Sequence, residues 1–237
     1  MFRRFPHIAV ASLAALTIGL SACSNTTPTA SPSANQQTTS RTSPAATNPE
    51  STADTAQKTA DPGLASKILT GEVAGVTLKE MPEIPDLDSA LKGADVQVEP
   101  DGCLNTGITQ LVAGATSVTQ TGVVSLLLSS DSSVPGKYKE YAQKCASASG
   151  TVAGSPVKQS IEKQQAPAVE GVNDLVAVVV TSDSTVNGKA LSTKAYLLIG
   201  SINGNTVIAQ LLNLNGGDPS TETVTEIFKA QVEKLKG

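Results

Sequence analysis

The chain has 237 residues, a formal net charge of −4 and an aromatic content of only 3%. An acidic chain with few aromatic side chains lacks the basic surface and the stacking platforms that nucleic-acid binding requires, so that class of function is excluded. The chain has a single histidine, His7, close to its N-terminus.

The N-terminus has the three parts of an export signal. Two arginines in the opening residues are followed by an uncharged apolar run over residues 8–20 and then by small residues. A basic start, an apolar core of this length and a small-residue cleavage site define such signals. The run is shorter than the ~20 apolar residues that a membrane-spanning helix needs. We therefore expect residues 1–22 to be removed by cleavage between Ala22 and Cys23, and His7 to leave with them.

The sequence Leu-Ser-Ala-Cys that ends at Cys23 resembles the lipobox of bacterial lipoproteins. In that family the cysteine is linked to diacylglycerol and becomes the first residue of the mature chain. The resemblance implies that Cys23 carries the acyl groups, palmitate among them, and holds the protein on the extracytoplasmic face of the cell membrane. Two acyl chains anchor a protein stably where one chain is marginal.

Two cysteines remain beside the expected anchor, Cys103 and Cys145. Outside the cytosol an even pair is more often bridged than free, so a disulfide is predicted, with two unrelated buried thiols as the alternative. Closing the loop between them would stabilise the fold by about 4 kcal/mol in the chain-entropy model. Two cysteines without a histidine offer too few ligands for zinc, and no metal site is expected.

Residues 24–62 consist almost entirely of Ser, Thr, Ala, Pro, Asn and Gln, without a single Val, Ile, Leu or aromatic residue. Such a segment cannot bury enough apolar surface to offset its ordering entropy and is predicted to be disordered. A flexible coil of this length reaches on the order of 35 Å. Residues 23–62 are therefore predicted to tether one folded domain, residues 63–237, to the membrane.

That domain is predicted to be α+β, with an antiparallel sheet flanked by helices. Asn-Gly at 187–188 and at 203–204 separates three strand-like runs, 174–186, 189–201 and 205–215. Because both residues tolerate the positive φ of a type I′ turn, the pattern predicts two hairpins and a three-stranded meander. The further predicted strands are 94–99, 121–130 and 157–163, and the predicted helices are 63–71, 135–148 and 218–236.

The two longer helices carry specific expectations. Asp218 is the predicted N-cap of the closing helix. In the other, Tyr138, Tyr141 and Cys145 share one stripe, which we expect to pack on the sheet and to join the helix to the segment at Cys103.

No motif predicts catalysis. Without a histidine in the mature chain, histidine triads, Cys–His dyads and histidine-ligated metals are excluded. Ser-x-x-Lys occurs at Ser89–Lys92, Ser155–Lys158 and Ser160–Lys163, about as often as chance gives, and no Lys-Thr-Gly accompanies it. The loop predicted over 79–88 is acidic but lacks the ligand spacing of a calcium loop. We therefore expect no enzymatic activity, no metal and no cofactor.

The order of elements resembles a known family. PDGCL at 100–104, a helix ending in Cys-Ala at 138–146, paired strands and a closing helix resemble the extracellular sensor domain of PknH-type actinobacterial receptor Ser/Thr kinases and of related stand-alone lipoproteins, over about residues 64–237. That family has a central antiparallel sheet, a disulfide-pinned cleft and a proposed small ligand. The resemblance implies a Cys103–Cys145 bond and a ligand-binding or sensor-like module of the cell envelope.

Two alternative functions stay open. One is a lipid carrier, which predicts an apolar cavity lined by Val and Leu from runs such as 126–130 or 176–180. The other is an adaptor that binds another envelope protein, which predicts an exposed apolar patch. The sequence indicates neither the small ligand nor the pocket residues.

Overall fold

The computed structural model describes residues 62–84, 96–103, 106–186 and 188–237. Several predicted features lie outside the described residues: the expected signal (1–22), the expected lipidation site Cys23, the expected tether up to residue 61, the Ser89–Lys92 pair and Asn187. The helices are α1 (Pro62–Ala65), α2 (Val134–Lys144) and α3 (Thr221–Lys236). The strands are β1 (Gly71–Val73), β2 (Val76–Glu80), β3 (Val96–Glu99), β4 (Leu111–Val118), β5 (Gly122–Ser129), β6 (Ser147–Val152), β7 (Ser155–Lys163), β8 (Asn173–Val186), β9 (Lys189–Ile202) and β10 (Asn205–Asn213).

The ten strands form one antiparallel sheet in the order β1-β2-β4-β5-β10-β9-β8-β7-β6-β3. The architecture is mostly sheet, so it agrees with the α+β prediction only coarsely. The predicted meander is confirmed, since β8, β9 and β10 are consecutive neighbours. At the β9–β10 turn, Asn203 and Gly204 have φ values of 50° and 79°, as a type I′ turn requires.

Two further hairpins use Ala-Gly in place of Asn-Gly. Ala74-Gly75 joins β1 to β2 and Ala153-Gly154 joins β6 to β7, and all four residues have φ between 49° and 75°. The sequence pattern did not predict β1, β2, β4 and β6. Their strand signal is weak because they are short or contain many small residues. The turns were not predicted either, because alanine disfavours the left-handed conformation and is not a sequence signal for such a turn.

The sheet is buried on both faces, which explains its long apolar runs. On β9, Tyr196 and Leu198 pack in one core under α3, whereas Leu197 and Ile199 pack in a second core under α2. Successive side chains of a strand point to opposite faces, so a strand covered on both faces is apolar throughout and shows no alternation.

The closing helix starts later than predicted. Its N-cap is Ser220, whose Oγ accepts a hydrogen bond from the backbone N–H of Thr223 at 3.2 Å. Asp218 is not the cap, because its carboxylate accepts instead from Lys194 Nζ at 2.5 Å. The helix packs closely on the sheet at Gly200, where a Cβ atom would lie 3.1 Å from Phe228 Cζ.

The first helix ends after one turn, far short of the predicted 63–71. Buried Gln231 on α3 explains this, because its Oε1 accepts from the N–H of Leu69 and its Nε2 donates to the carbonyl of Lys67, at 2.8 and 2.9 Å. Lys234 Nζ also donates to the carbonyl of Ile68. These bonds draw residues 67–69 out of the helix and fix them to α3.

Helix α2 confirms the predicted stripe but is shorter than 135–148. Tyr138 and Tyr141 are buried, with ring centroids 5.5 Å apart. Cys145 is the C-cap and forms a disulfide with Cys103, with Cα atoms 5.5 Å apart and a sequence separation of 42. The helix ends there because the chain turns into β6, where the carbonyl of Ala146 already accepts from the N–H of Ile161.

The predicted loop over 79–88 begins later than expected. Lys79 and Glu80 belong to β2 and pair with β4, and the N–H of Met81 still donates to the carbonyl of Gly114. Residues 85–88 lie outside the described part of the chain. Within the described part, no helix has the length and apolar content to cross a bilayer.

Candidate functional site

A cleft of about 330 Å³ lies between α2 and the start of β8. We call it the α2 cleft. It is lined by Pro135, Gly136, Lys139, Ala142, Lys163, Gln164, Ala166 and residues 174–178. Its volume is at the lower end of the range found for small-ligand pockets.

The wall on α2 is a stripe beside the tyrosines. Pro135, Lys139 and Ala142 are spaced i, i+4 and i+7, so they share one face of the helix and flank the stripe that packs on the sheet. Gly136 widens the cleft, since a Cβ built there would meet no heavy atom within 4 Å. The short side chain of Ala142 and the absence of a side chain at Gly136 leave space between the helix and the sheet.

The floor of the cleft is the apolar start of β8. Val178 is buried and Val176 is partly buried, and both belong to the core on the α2 side. Between Asn173 and Val176 the pairing with β9 shifts register, and Asp174 has a left-handed φ of 52°. Bulges of this kind re-aim side chains and are frequent next to functional sites. Here the bulge places Asp174 on the lining of the cleft.

Three charged side chains line the cleft, Lys139, Lys163 and Asp174, and all three residues are exposed. None of them forms a side-chain hydrogen bond or an ion pair with any residue that the structure describes. Lys137, two residues before Lys139, differs in this respect, because it binds Asp131 at 2.8 Å. The charges at the cleft are therefore available to a ligand.

The position of α2 is set by a hydrogen-bonded cluster at Asp131. The carboxylate accepts from Thr109 Oγ1, from the N–H and Oγ of Ser133 and from Lys137 Nζ, all within 2.9 Å. Its backbone carbonyl accepts from Thr206 Oγ1 on β10 at 2.7 Å. Partial burial by itself raises the pKa of Asp131, but these hydrogen bonds outweigh it and hold the pKa well below its usual value. The cluster joins the segment before β4, the end of β5 and β10 to the first turn of the helix.

The other end of α2 is fixed by buried polar contacts. Tyr141 Oη donates to the carbonyl of Cys103 at 3.1 Å and accepts from Gln159 Nε2 at 3.3 Å. Burial raises the pKa of Tyr141, so the hydroxyl stays protonated and keeps its role as a donor. With the adjacent disulfide, these contacts hold the C-terminal end of α2 to the segment at Cys103 and to β7.

A second cavity of about 580 Å³ is a wide groove on the α3 side of the sheet. It is lined by residues of β7, of the β8–β9 hairpin and of the chain after β10, including Lys158, Asp183 and Leu214. Most of these side chains are exposed, and the groove lacks the buried apolar floor of the α2 cleft. We therefore take the α2 cleft as the candidate site.

The structure separates the Ser-x-x-Lys pairs that it describes. Ser155–Lys158 and Ser160–Lys163 both lie on β7, where residues three apart point to opposite faces of the sheet. Neither pair can act as a serine nucleophile with its lysine base. Lys158 lines the groove and Lys163 the α2 cleft. The described residues contain no cluster of three or more His, Cys, Asp or Glu side chains suited to a metal ion.

Cys103 and Cys145 lie together as predicted but not at the α2 cleft. Both are buried, and the bond links the end of α2 to the segment after β3. Of the cleft residues, the sequence pattern pointed to Lys163, as part of a chance motif, and to residues 176–178, as a run that could line an apolar cavity. For the others, the helical spacing of Pro135, Lys139 and Ala142 was the one available signal.

Comparison with known proteins gives one solved structure to report. No known protein family and no curated protein matches the chain. The X-ray structure of an uncharacterized protein from Mycobacterium smegmatis, the Rv0999 ortholog, matches with a TM-score of 0.39 and 15% sequence identity, covering 74% of this chain and 94% of that chain. We therefore base the function on the geometry of this chain.

Proposed function

We propose that the protein is a non-enzymatic, lipid-anchored module of the cell envelope that binds a small ligand in the α2 cleft. Cys23 holds it on the extracytoplasmic face of the membrane, and the Ser/Thr/Ala/Pro-rich segment after Cys23 links this anchor to the folded domain. The observation that carries the binding role is the cleft itself, with an apolar floor at Val176 and Val178 and charged side chains around it that have no partner among the described residues. Apolar floors with a few polar groups at the rim are typical of ligand pockets.

The alternative functions have less support. Of the two runs that could line the cavity of a lipid carrier, the leucines at 126–128 are packed in the two cores, whereas residues 176–178 line the α2 cleft. That cleft is at the lower end of the size range for small-ligand pockets, which favours a small ligand over a lipid. For an adaptor, the large apolar side chains that are exposed among the described residues are only Val118 and Leu214. Single exposed side chains are normal on a protein surface and do not make a docking patch.

Native mass spectrometry of the full chain, extracted from the envelope of an exporting host, tests the binding role. We expect a small-molecule adduct on the wild-type protein and on Gly136→Ala, but not on Gly136→Leu, whose side chain fills the cleft. Residue 136 lies in the first turn of α2, so both substitutions keep or improve helix propensity. An adduct that survives in Gly136→Leu would move the site elsewhere, and bare protein in all three would contradict the proposal.

The membrane anchor is tested separately. The wild-type chain should incorporate radiolabelled palmitate and partition with membranes after export, whereas Cys23→Ala should incorporate none. Labelling of Cys23→Ala at the wild-type level would contradict an acylated Cys23.

A further inference from the structure

We infer that the ligand of the α2 cleft is a small monocarboxylate with a short apolar body. The inference rests on the proposed function and deepens it, because it assigns a chemical class to the ligand. Lys139 approaches the cleft from the helix and Lys163 from the end of β7, and both lysines line it. A negative group held between them would satisfy two ammonium groups that have no partner among the described residues.

The apolar floor of the cleft determines the kind of group that the ligand carries beside its negative charge. Val176, Val178 and Ala142 present only apolar groups, and Pro135 closes the same side. Val178 and Ala142 are already buried, so an apolar body gains by covering the partly exposed apolar residues of the lining, Val176, Leu175 and Ala166. A ligand that carries only charge, such as inorganic phosphate, would leave these side chains in contact with water and forgo that gain.

Asp174 limits the charge of the ligand to one. Its carboxylate belongs to the same lining as the two lysines, so the three side chains together carry one net positive charge. A second negative charge on the ligand would be repelled by Asp174. A positively charged ligand would be repelled by two lysines and attracted by only one carboxylate. The balance therefore favours a monoanion, and the volume of about 330 Å³ favours a small one.

The class is tested with three probes of equal chain length, hexanoate, hexanol and hexylammonium. The full acylated chain is placed in nanodiscs of zwitterionic lipid, and the methyl NMR signals of Val176 and Val178 are followed, with buried Val207 on the α3 side as the internal reference. Empty nanodiscs give the free probe concentration. Hexanoate should bind about tenfold more tightly than hexanol, as expected for a charge-assisted contact, and hexylammonium should bind more weakly than either.

Matched variants assign the preference to the cleft. Lys139→Gln with Lys163→Gln should remove the difference between hexanoate and hexanol, whereas Lys189→Gln with Lys229→Gln, the same charge change at exposed lysines elsewhere, should keep it. Asp174→Asn should tighten hexanoate binding by roughly two- to fivefold. Asparagine tolerates the left-handed φ at this position, so the bulge should persist.

The outcomes separate the two proposals. Equal binding of hexanol and hexanoate, or tighter binding of hexylammonium, overturns the monocarboxylate class, and so does a Lys139/Lys163 variant that keeps the preference. If no probe shifts Val176 or Val178 while the native adduct is still lost in Gly136→Leu, the class fails and the binding function stands. If Gly136→Leu also leaves the native adduct unchanged, both proposals fail.

Discussion

At the scale of single residues, Asp131 is a carboxylate that ties several segments of the fold together. Its oxygens accept hydrogen bonds from Thr109, Ser133 and Lys137. Because these bonds lower the pKa from the usual value of 3.8, the folded state holds Asp131 ionised at a pH where the unfolded chain takes up a proton. The stabilisation is therefore fully present above this usual value and is lost as the pH falls below it.

Asp131→Asn should lower the free energy of unfolding by about 2 kcal/mol at pH 6, the scale of hydrogen bonds to a charged group. The difference from wild type should shrink steadily between pH 4 and pH 2, which urea unfolding at each pH would show. Asp183→Asn is the matched control, because Asp183 is exposed on β8 and binds no described side chain. A difference for Asp131→Asn that does not change with pH would contradict the role of its charge.

At the scale of elements, the hairpin turns differ in how well their residues suit the backbone. Ala153 and Asn203 occupy equivalent positions, each before a glycine and each with φ near 50°. A left-handed conformation costs an alanine roughly 1–2 kcal/mol, whereas asparagine visits it readily. The turn between β6 and β7 is therefore held in place by strand pairing against the preference of its own residue.

Exchanging the two turn residues tests this point. Ala153→Asn should raise the free energy of unfolding by about 1 kcal/mol, and Asn203→Ala should lower it by a similar amount. Thermal unfolding followed by circular dichroism measures both changes. If the two variants shift the stability in the same direction, the preference of the residue at this turn position does not set the energy of the hairpin.

The sequence predicted some elements of the fold and their boundaries better than others. Elements with a strong local cause were predicted, such as the Asn-Gly meander and the stripe of Tyr138 and Tyr141. Boundaries were wrong where a distant side chain intervenes, as Gln231 does at the end of α1 and Lys194 does at Asp218. Strands β4 and β6 were missed because pairing with a neighbour, and not their own composition, makes them strands.

The candidate site was harder to predict than the fold. Lys139 and Lys163 are twenty-four positions apart in the chain and line one cleft only because α2 packs on the sheet over β8. The bulge at Asp174 follows from register with β9, which no local pattern reports. Cys103 and Cys145, which lie away from the cleft, could be paired in advance, because two cysteines allow one connectivity once Cys23 is taken as the anchor.

At the scale of the whole molecule, one covalent bond joins layers that otherwise depend on packing. Cys145 ends the helix that covers one face of the sheet, and Cys103 follows β3, an edge strand that pairs only with β6. Without the bond, this edge and its segment would be held by one short ladder of hydrogen bonds with β6 and by the hydrogen bond from Tyr141 Oη to the carbonyl of Cys103. A cross-link also removes conformations from the unfolded chain, and for a loop of this length the lost entropy stabilises the folded state by about 4 kcal/mol.

Oxidised and reduced wild-type protein should therefore differ in free energy of unfolding by about 4 kcal/mol, measured by urea unfolding with and without dithiothreitol. Both forms keep the two sulfur atoms, so their difference isolates the cross-link from packing. Cys103→Ala with Cys145→Ala should be less stable than the reduced wild type, because each substitution also leaves a cavity in the core.

Since both sulfur atoms are buried, reductant should act on the unfolded chain far faster than on the native protein. Equal midpoints for the oxidised and reduced forms would show that strand pairing and packing already hold the edge of the sheet without the bond.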